Sequence, residues 1–111
     1  MKVLFKKSNL LKESELYKSP ITIRVDDFTP KGAKEFASRM EAAHNTGQPV
    51  IPVVIDSYGG QVYSLMAMIA QIQNAEKPVA TIIEGKAMSC GAILSTFGEK
   101  GMRYMDPNAT V

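Results

Sequence analysis

The sequence has 111 residues, which is enough for one small domain with a core of its own. Hydrophobic residues make up 45% and charged residues 22%, as in ordinary globular chains, and a formal net charge of +2 is too small to indicate nucleic-acid binding. The single cysteine excludes an internal disulfide and is typical of a reducing cytoplasm. The apolar runs are too short for a membrane span, and the first residues lack the apolar stretch of a secretory signal.

The chain begins with a polar arm and continues as an alternation of strands and helices. Residues 1–19 are rich in lysine and glutamate and predict an N-terminal arm, with one short helix over 10–17. Residues 20–111 predict one α/β domain. Clusters of β-branched residues predict strands at 21–25, 50–55, 79–83 and 103–105, and a further strand that begins at 109. Helices are predicted between these strands, at 30–45, 62–74 and 89–98.

Turn and cap residues separate the predicted elements. Thr29 followed by Pro30 is typical of a helix start, and both Gly59–Gly60 and Pro78 interrupt apolar runs. Strands that alternate with helices of about 10–15 residues form βαβ units, in which right-handed crossovers join parallel strands. The fold class is therefore α/β, with repeated βαβ units and a mainly parallel sheet.

The candidate functional residues follow two consecutive predicted strands, at 56–60 and 85–91. In a parallel sheet both exits lie at the carboxyl edge, where ligands bind. Ser89 at a helix start is a candidate nucleophile, and the backbone N–H groups of Gly59 or Gly60 and of Cys90 are candidate donors to an oxyanion. The same residues are also explained by a simple helix cap at Ser89 and a simple tight turn at Gly59–Gly60, and the spacing leaves both interpretations open.

Three segments resemble, in order, those of the ClpP/crotonase superfamily, and most closely those of the Clp protease proteolytic subunit. Residues 56–62, Asp-Ser-Tyr-Gly-Gly-Gln-Val, resemble its Asn-Ser-Pro-Gly-Gly-Ser-Val segment. Residues 85–92, Gly-Lys-Ala-Met-Ser-Cys-Gly-Ala, resemble its nucleophile segment Gly-x-Ala-Ala-Ser-Met-Gly-Ala. Residues 101–111 are similar to its Gly-x-Arg…Pro-Asn…Val segment. The resemblance implies a ClpP/crotonase-like fold, of which this sequence holds the N-terminal portion.

The resemblance also implies a serine endopeptidase that cleaves peptide bonds through an acyl-enzyme on Ser89. Gly59 or Gly60 and Cys90 then match the oxyanion donors through their backbone N–H groups. The family pattern continues after Val111 with Met-Ile-His, so the general base and the aspartate of the triad are expected beyond this sequence, and the isolated chain is expected to have little activity. Tyr58 stands in place of a proline and Cys90 in place of a methionine, and neither change removes a main-chain donor.

Other residues are weaker candidates for chemistry. His44, the one histidine, is expected to be exposed or to cap the end of its helix, and Lys86 is expected to face solvent because residues i and i+3 of a strand point to opposite faces. Cys90 is expected to be a buried thiol and not an alternative nucleophile, since no neighbouring residue in the sequence would activate it. Asp56 has no second ligand at metal-binding spacing and is expected to cap the next helix or to fix the Gly-Gly turn.

Two other functions remain open at this point: a non-catalytic assembly subunit of the same fold, or another superfamily member such as a crotonase-type acyl-CoA enzyme or a serine–lysine protease. No metal or cofactor is expected. The expected partners are a peptide or unfolded protein substrate and further copies of the chain or a complementing C-terminal fragment. A Clp-type ATPase is implied by the resemblance alone.

Overall fold

The computed structural model describes residues 19–111, so the arm predicted over 1–19 and the helix predicted over 10–17 lie almost entirely outside the described residues. The described elements are, in order, β1 (Ile23–Val25), α1 (Pro30–Asn45), β2 (Ile51–Ser57), α2 (Val62–Gln73), β3 (Val79–Ala87), α3 (Cys90–Ser95) and β4 (Arg103–Met105). In this part of the chain, no helix has the length and apolar character required to cross a membrane.

The four strands form one parallel sheet in the order β1-β2-β3-β4. Val53 in β2 lies between Ile23 and Thr81, and Thr81 in turn lies opposite Arg103. Each strand therefore pairs with the next strand along the chain, and a helix connects the two. The predicted α/β class with repeated βαβ units is confirmed. Beyond β4, Thr110 forms an isolated bridge with Lys86, where a further strand was predicted to begin.

The core lies between the sheet and the three helices. Alternate residues of β1, β2 and β3 point to the helices, as the period of two requires. The sheet contributes mainly β-branched side chains to this core, and the helices contribute larger ones. The buried core residues are Ile23, Val25, Ile51, Val53, Ile55, Val79, Ile83 and Ala87 from the strands, Phe36, Met40, Ala43, Leu65, Met68, Ile72, Cys90 and Leu94 from the helices, and Phe28 from the segment between β1 and α1.

Helix α1 begins where its cap residues predict. The Thr29 hydroxyl accepts a hydrogen bond of 3.0 Å from the Gly32 N–H, and Pro30 is the first helical residue. This arrangement satisfies one of the otherwise unpaired N–H groups of the first turn, and proline costs nothing there because it has no N–H to lose.

Helix α3 is shorter and β3 is longer than predicted. The Thr81 hydroxyl donates to the Ser95 carbonyl at 2.8 Å, and Gly98 packs so closely on the Thr81 side chain that no Cβ would fit. These contacts draw the chain back to the sheet, so α3 ends at Ser95 instead of near 98. Strand β3 continues to Ala87 because the backbone after Ile83 pairs with the segment around Thr110.

The buried Gln48 side chain joins the start of β1 to the start of β2. Its amide oxygen accepts from the Ile21 N–H at 2.8 Å, and its amide nitrogen donates to the carbonyls of Ile21 and Val50 at 3.0 and 2.9 Å. The Thr46 hydroxyl lies 2.7 Å from the same amide oxygen. Gln48 thereby supplies hydrogen bonds that a backbone ladder would otherwise provide.

We expect Gln48→Ala to lower the free energy of unfolding by about 2–3 kcal/mol, because three partly buried backbone groups lose their partner at roughly 1 kcal/mol each. Urea unfolding followed by circular dichroism measures this. Gln73→Ala, which removes an exposed glutamine at the end of α2, is the matched control and should change stability by less than about 0.5 kcal/mol. Equal effects of the two substitutions would contradict the role assigned to Gln48.

Candidate active site

The exits of β2 and β3 lie side by side at the carboxyl edge of the sheet. β2 ends at Ser57 and β3 at Ala87, and these two residues are partners in the parallel register. Just beyond, the Met88 N–H donates to the Ser57 carbonyl at 3.0 Å. The two segments that follow, one with the diglycine and one with Ser89, therefore leave the sheet together.

Ser89 is exposed and has a strained backbone. Its φ of 52° and ψ of −115° make it the one non-glycine residue with a positive φ among residues 19–111. Such a conformation costs about 1–3 kcal/mol and is found mainly where surrounding structure enforces it. Its side chain makes no capping hydrogen bond to α3. The interpretation of Ser89 as a simple helix cap is therefore wrong.

The diglycine turn packs directly against Ser89. A Cβ on Gly59 would lie 3.0 Å from the Ser89 Cβ and 3.5 Å from the Cys90 nitrogen, and the φ of Gly59 is +113°. A Cβ on Gly60 would collide with the Phe28 backbone. Both positions thus require glycine for close approach, one to Ser89 and the other to the neighbouring strand exit.

The backbone N–H groups at this edge differ in whether they are already bonded. The Gly59 N–H donates to the Ser57 hydroxyl at 3.0 Å, so it is occupied. Within residues 19–111, no acceptor is bonded to the N–H of Gly60 or of Cys90. Of the two glycines proposed as donors from sequence, Gly60 is therefore the one with a vacant N–H group. The role of these groups as oxyanion donors stays a prediction.

Cys90 begins α3 beneath the diglycine turn. Its side chain is 2% exposed, as expected for a buried thiol, and its Sγ lies 3.5 Å from the Gly60 carbonyl, to which it donates. The thiol is enclosed by the turn and is not presented to solvent, which disfavours it as a nucleophile.

Lys86 does not face solvent as predicted. Its ammonium donates to Asp56 Oδ1 at 2.8 Å and lies 4.5 Å from the centre of the Tyr58 ring, and the side chain is only 28% exposed. The hydrogen bond to Asp56 raises the pKa of Lys86 above its ordinary value. A lysine held in its charged form cannot accept a proton from Ser89, so a serine–lysine pair is disfavoured.

Asp56 also differs from its predicted role. Its carboxylate neither caps α2, which begins after Gln61 without a side-chain cap, nor holds the Gly-Gly turn. It bonds Lys86 instead, and this hydrogen bond holds the pKa of the Asp56 carboxyl below its ordinary value. The turn is fixed by Ser57, a role that the sequence signals only through the general tendency of serine to bond a backbone N–H two residues on.

His44 lies at the opposite edge of the sheet. Its Nδ1 bonds the Met40 carbonyl at 2.8 Å and its Nε2 accepts from the Glu76 N–H at 3.1 Å, so the half-buried ring is neither exposed nor the helix cap, which is Thr46. The seven residues of β2 alone separate the two edges by roughly 20 Å. His44 is therefore a structural residue, outside the candidate site.

Comparisons with known proteins agree with this architecture. A sequence model of the family described as Clp protease matches residues 7–111. Over 67 residues the chain is 37% identical to the ATP-dependent Clp protease proteolytic subunit 1 of Chlamydia trachomatis serovar D, covering 60% of this chain and 34% of that protein. Over 85 residues it is 35% identical to the same subunit of Chlamydia muridarum, covering 75% of this chain and 44% of that protein.

A solved structure gives the same fold. The crystal structure of the ClpP protease catalytic domain from Plasmodium falciparum matches with a TM-score of 0.75 and 25% identity, covering 81% of this chain and 53% of that one. The molecule thus has part of the ClpP-like α/β fold. The chain belongs to the Clp protease family, and it spans between a third and a half of the length of the curated relatives that it matches.

The strain at Ser89 predicts that Ser89→Gly stabilises the protein by about 1 kcal/mol, because glycine adopts a positive φ without steric cost and loses only part of this gain to chain entropy. Thermal unfolding measures the change. Ser95→Gly, at the last residue of α3, should instead destabilise by about 0.5–1 kcal/mol, because Ser95 has a helical backbone and its hydroxyl donates to the Ala92 carbonyl. A loss of stability in both variants would show that Ser89 is not strained.

The close approach at the turn predicts that Gly59→Ala is more destabilising than Gly101→Ala. Both glycines have a positive φ, but a Cβ at Gly101 would meet nothing within 4 Å, whereas at Gly59 it would press on Ser89 and Met88. We expect an additional loss of about 1–3 kcal/mol at Gly59. Urea unfolding gives the free energy of unfolding of each variant, analysed with one common dependence on urea concentration. The difference between the two variants isolates the steric contribution at Gly59, and equal losses would contradict its contact with Ser89.

Proposed function

We propose that this chain carries the nucleophile and the oxyanion-binding part of a serine endopeptidase of the Clp type. Ser89 attacks the carbonyl carbon of an extended peptide, and the N–H groups of Gly60 and Cys90 bind the oxygen that becomes negative. The observation that carries the proposal is the exposed, strained Ser89, whose hydroxyl is not used as a cap and which packs against the diglycine turn.

The reaction runs through an acyl-enzyme. The Ser89 oxygen forms a bond to the carbonyl carbon, the resulting tetrahedral intermediate expels the amine of the peptide, and water then releases the acyl group from Ser89. The hydroxyl must give up a proton when it attacks, and the departing amine must receive one. Fixed N–H donors lower the barrier because they need no reorientation when the charge appears on the oxygen.

The proton acceptor is the missing part of this mechanism. Lys86 is held in its charged form by Asp56, and the one histidine of the sequence, His44, uses both ring nitrogens at the far edge of the sheet. We propose that the base comes from sequence outside these 111 residues. Without a base the hydroxyl is a weak nucleophile, so the 111-residue chain itself should have little or no peptidase activity.

The partners of the whole protein are part of the proposal. The curated relatives are named proteolytic subunits of an ATP-dependent protease, which supports a peptide or unfolded protein as substrate and an ATPase as partner. On α2 the exposed apolar residues Tyr63, at 86% exposure, and Met66 favour association with further copies or with a complementing segment.

A non-catalytic assembly subunit would need that surface but would not need a strained, exposed serine. A crotonase-type acyl-CoA enzyme would not need the serine either.

A peptidyl boronic acid with an apolar terminal residue tests the proposal, because boron forms a tetrahedral adduct with a serine oxygen and places a negative oxygen near the oxyanion donors. We expect the 111-residue chain to form this adduct, measured by ¹¹B NMR and by titration calorimetry, while it hydrolyses fluorogenic peptides no faster than Ser89→Ala does.

Ser89→Ala should abolish the adduct, and Ser95→Ala, which removes another hydroxyl from α3, should leave it unchanged. Adduct formation that persists in Ser89→Ala, or no adduct in the unaltered chain, would overturn the proposed nucleophile. Rapid peptide hydrolysis by the chain alone would overturn the proposal that the base lies outside it.

A further inference from the structure

Strand β3 contains a bulge just before the chain reaches Ser89. β2 passes from Ile55 to Ser57 with one residue between them, whereas β3 needs three residues to pass from Ile83 to Ala87. The bulge therefore inserts two residues into β3 relative to its neighbour. Insertions of this kind redirect a strand and its side chains, and they are common beside functional sites.

The bulge determines how far along the edge Ser89 lies. Had β3 kept the register of its first half, Gly85 would face Ser57, and the chain would reach Ser89 two residues later, about 7 Å beyond the diglycine turn. With the bulge, Ala87 faces Ser57, and Ser89 lies against Gly59. The register shift is thus a condition for the contact between nucleophile and turn.

The Asp56 carboxylate on β2 forms hydrogen bonds to the bulge. Asp56 Oδ1 accepts from the Lys86 backbone N–H at 3.3 Å and from its ammonium at 2.8 Å. Gly85, with a φ of +85°, lets the bulge approach so closely that an added Cβ would lie 2.8 Å from the same oxygen. The Tyr58 ring packs beneath the ammonium. On its other side the bulge is bonded by the backbone of Thr110.

We propose that Asp56 and Lys86 are positioning residues for Ser89: their contact holds the β3 bulge in the register that brings the nucleophile to the diglycine turn. This inference rests on the proposed function only for its catalytic consequence. The geometric part, that the pair fixes the position of Met88 and Ser89, stands on the contacts of the bulge.

The charges around Asp56 and Lys86 keep both side chains ionised, so the contact between them forms throughout the neutral pH range. Arg24 on β1 further lowers the pKa of Asp56, and Asp26 further raises the pKa of Lys86, while Glu84 is bonded to Arg24. The lowered pKa of Asp56 means that its contribution is present above about pH 4 and is lost as pH falls further. The raised pKa of Lys86 means that its contribution is lost only as pH rises beyond about 10.4.

Amide hydrogen exchange tests the geometric part without any ligand. In Asp56→Ala and Lys86→Met we expect the protection of the Met88 N–H, which is bonded to Ser57, to fall at least tenfold relative to that of the Thr81 N–H, which is bonded to Met102 in the regular part of the sheet. Lys86→Arg, which keeps a cation able to bond Asp56, should retain most of the protection.

Arg24→Gln is the matched control, because it removes the Arg24–Glu84 ion pair at 3.0 Å and the minor effect of Arg24 on the Asp56 carboxyl, but leaves both hydrogen bonds between Asp56 and Lys86 in place. It should leave the ratio of the two protection factors within twofold of the unaltered chain. An equal loss at Met88 and Thr81 in Asp56→Ala would show a general effect on stability, and no loss would show that backbone pairing alone holds the bulge; either result would overturn the inference.

Binding of the same peptidyl boronic acid tests the catalytic consequence. We expect its affinity to fall at least tenfold in Asp56→Ala and Lys86→Met, and to stay near that of the unaltered chain in Lys86→Arg and Arg24→Gln. If the unaltered chain forms no adduct, the proposed function fails and the exchange experiment still decides the geometric part. If protection at Met88 is lost but boronate affinity is kept, the pair does not position Ser89.

Discussion

The hydrogen bond from the Met88 N–H to the Ser57 carbonyl joins the two chain segments that leave the sheet at its carboxyl edge. Because this bond lies immediately before Ser89 and immediately before the Tyr58-Gly59-Gly60 turn, it sets the distance between them. A side chain at position 59 would then occupy the space of the serine, which explains why the turn contains glycine. The spacing of the candidate site thus depends on a backbone contact between neighbouring parallel strands.

The strain at this edge is supported by a well-packed region directly below it. Ala87, Cys90 and Leu94 are almost completely buried, and a Cβ added to Gly91 would lie only 3.4 Å from the Ile55 side chain. A backbone in an unfavourable conformation persists only where its surroundings leave it no alternative. The short helix α3, whose buried side is made of these small and apolar residues, provides such surroundings, so the backbone of Ser89 keeps its positive φ although the residue is exposed.

Local sequence predicted most of the fold and part of the site. Runs of β-branched residues marked β2 and the first half of β3, and Thr29–Pro30 marked the start of α1. The strand exits were correctly placed at one edge, because that follows from parallel topology alone. The sequence motifs around Ser89 and Gly59 indicated residues that the structure brings into contact.

The failures concern contacts between residues far apart in the chain. The pairing of Lys86 with Asp56 spans thirty positions and depends on a register shift that no local pattern records. An alternation rule applied to β3 placed the Lys86 side chain in solvent, because that rule assumes a regular strand. The end of α3 likewise depends on Thr81, a residue of the preceding strand. Where the register of the sheet changes, sequence periodicity no longer predicts the direction of a side chain.

The Cys90 thiol, enclosed under the Gly60 carbonyl, gives the molecule an internal reporter. It is the one sulfhydryl of the sequence, and a reagent in solvent can reach it only when the turn above it moves away. The rate of alkylation at this sulfur therefore measures how often the diglycine turn moves away from Cys90, without any added label.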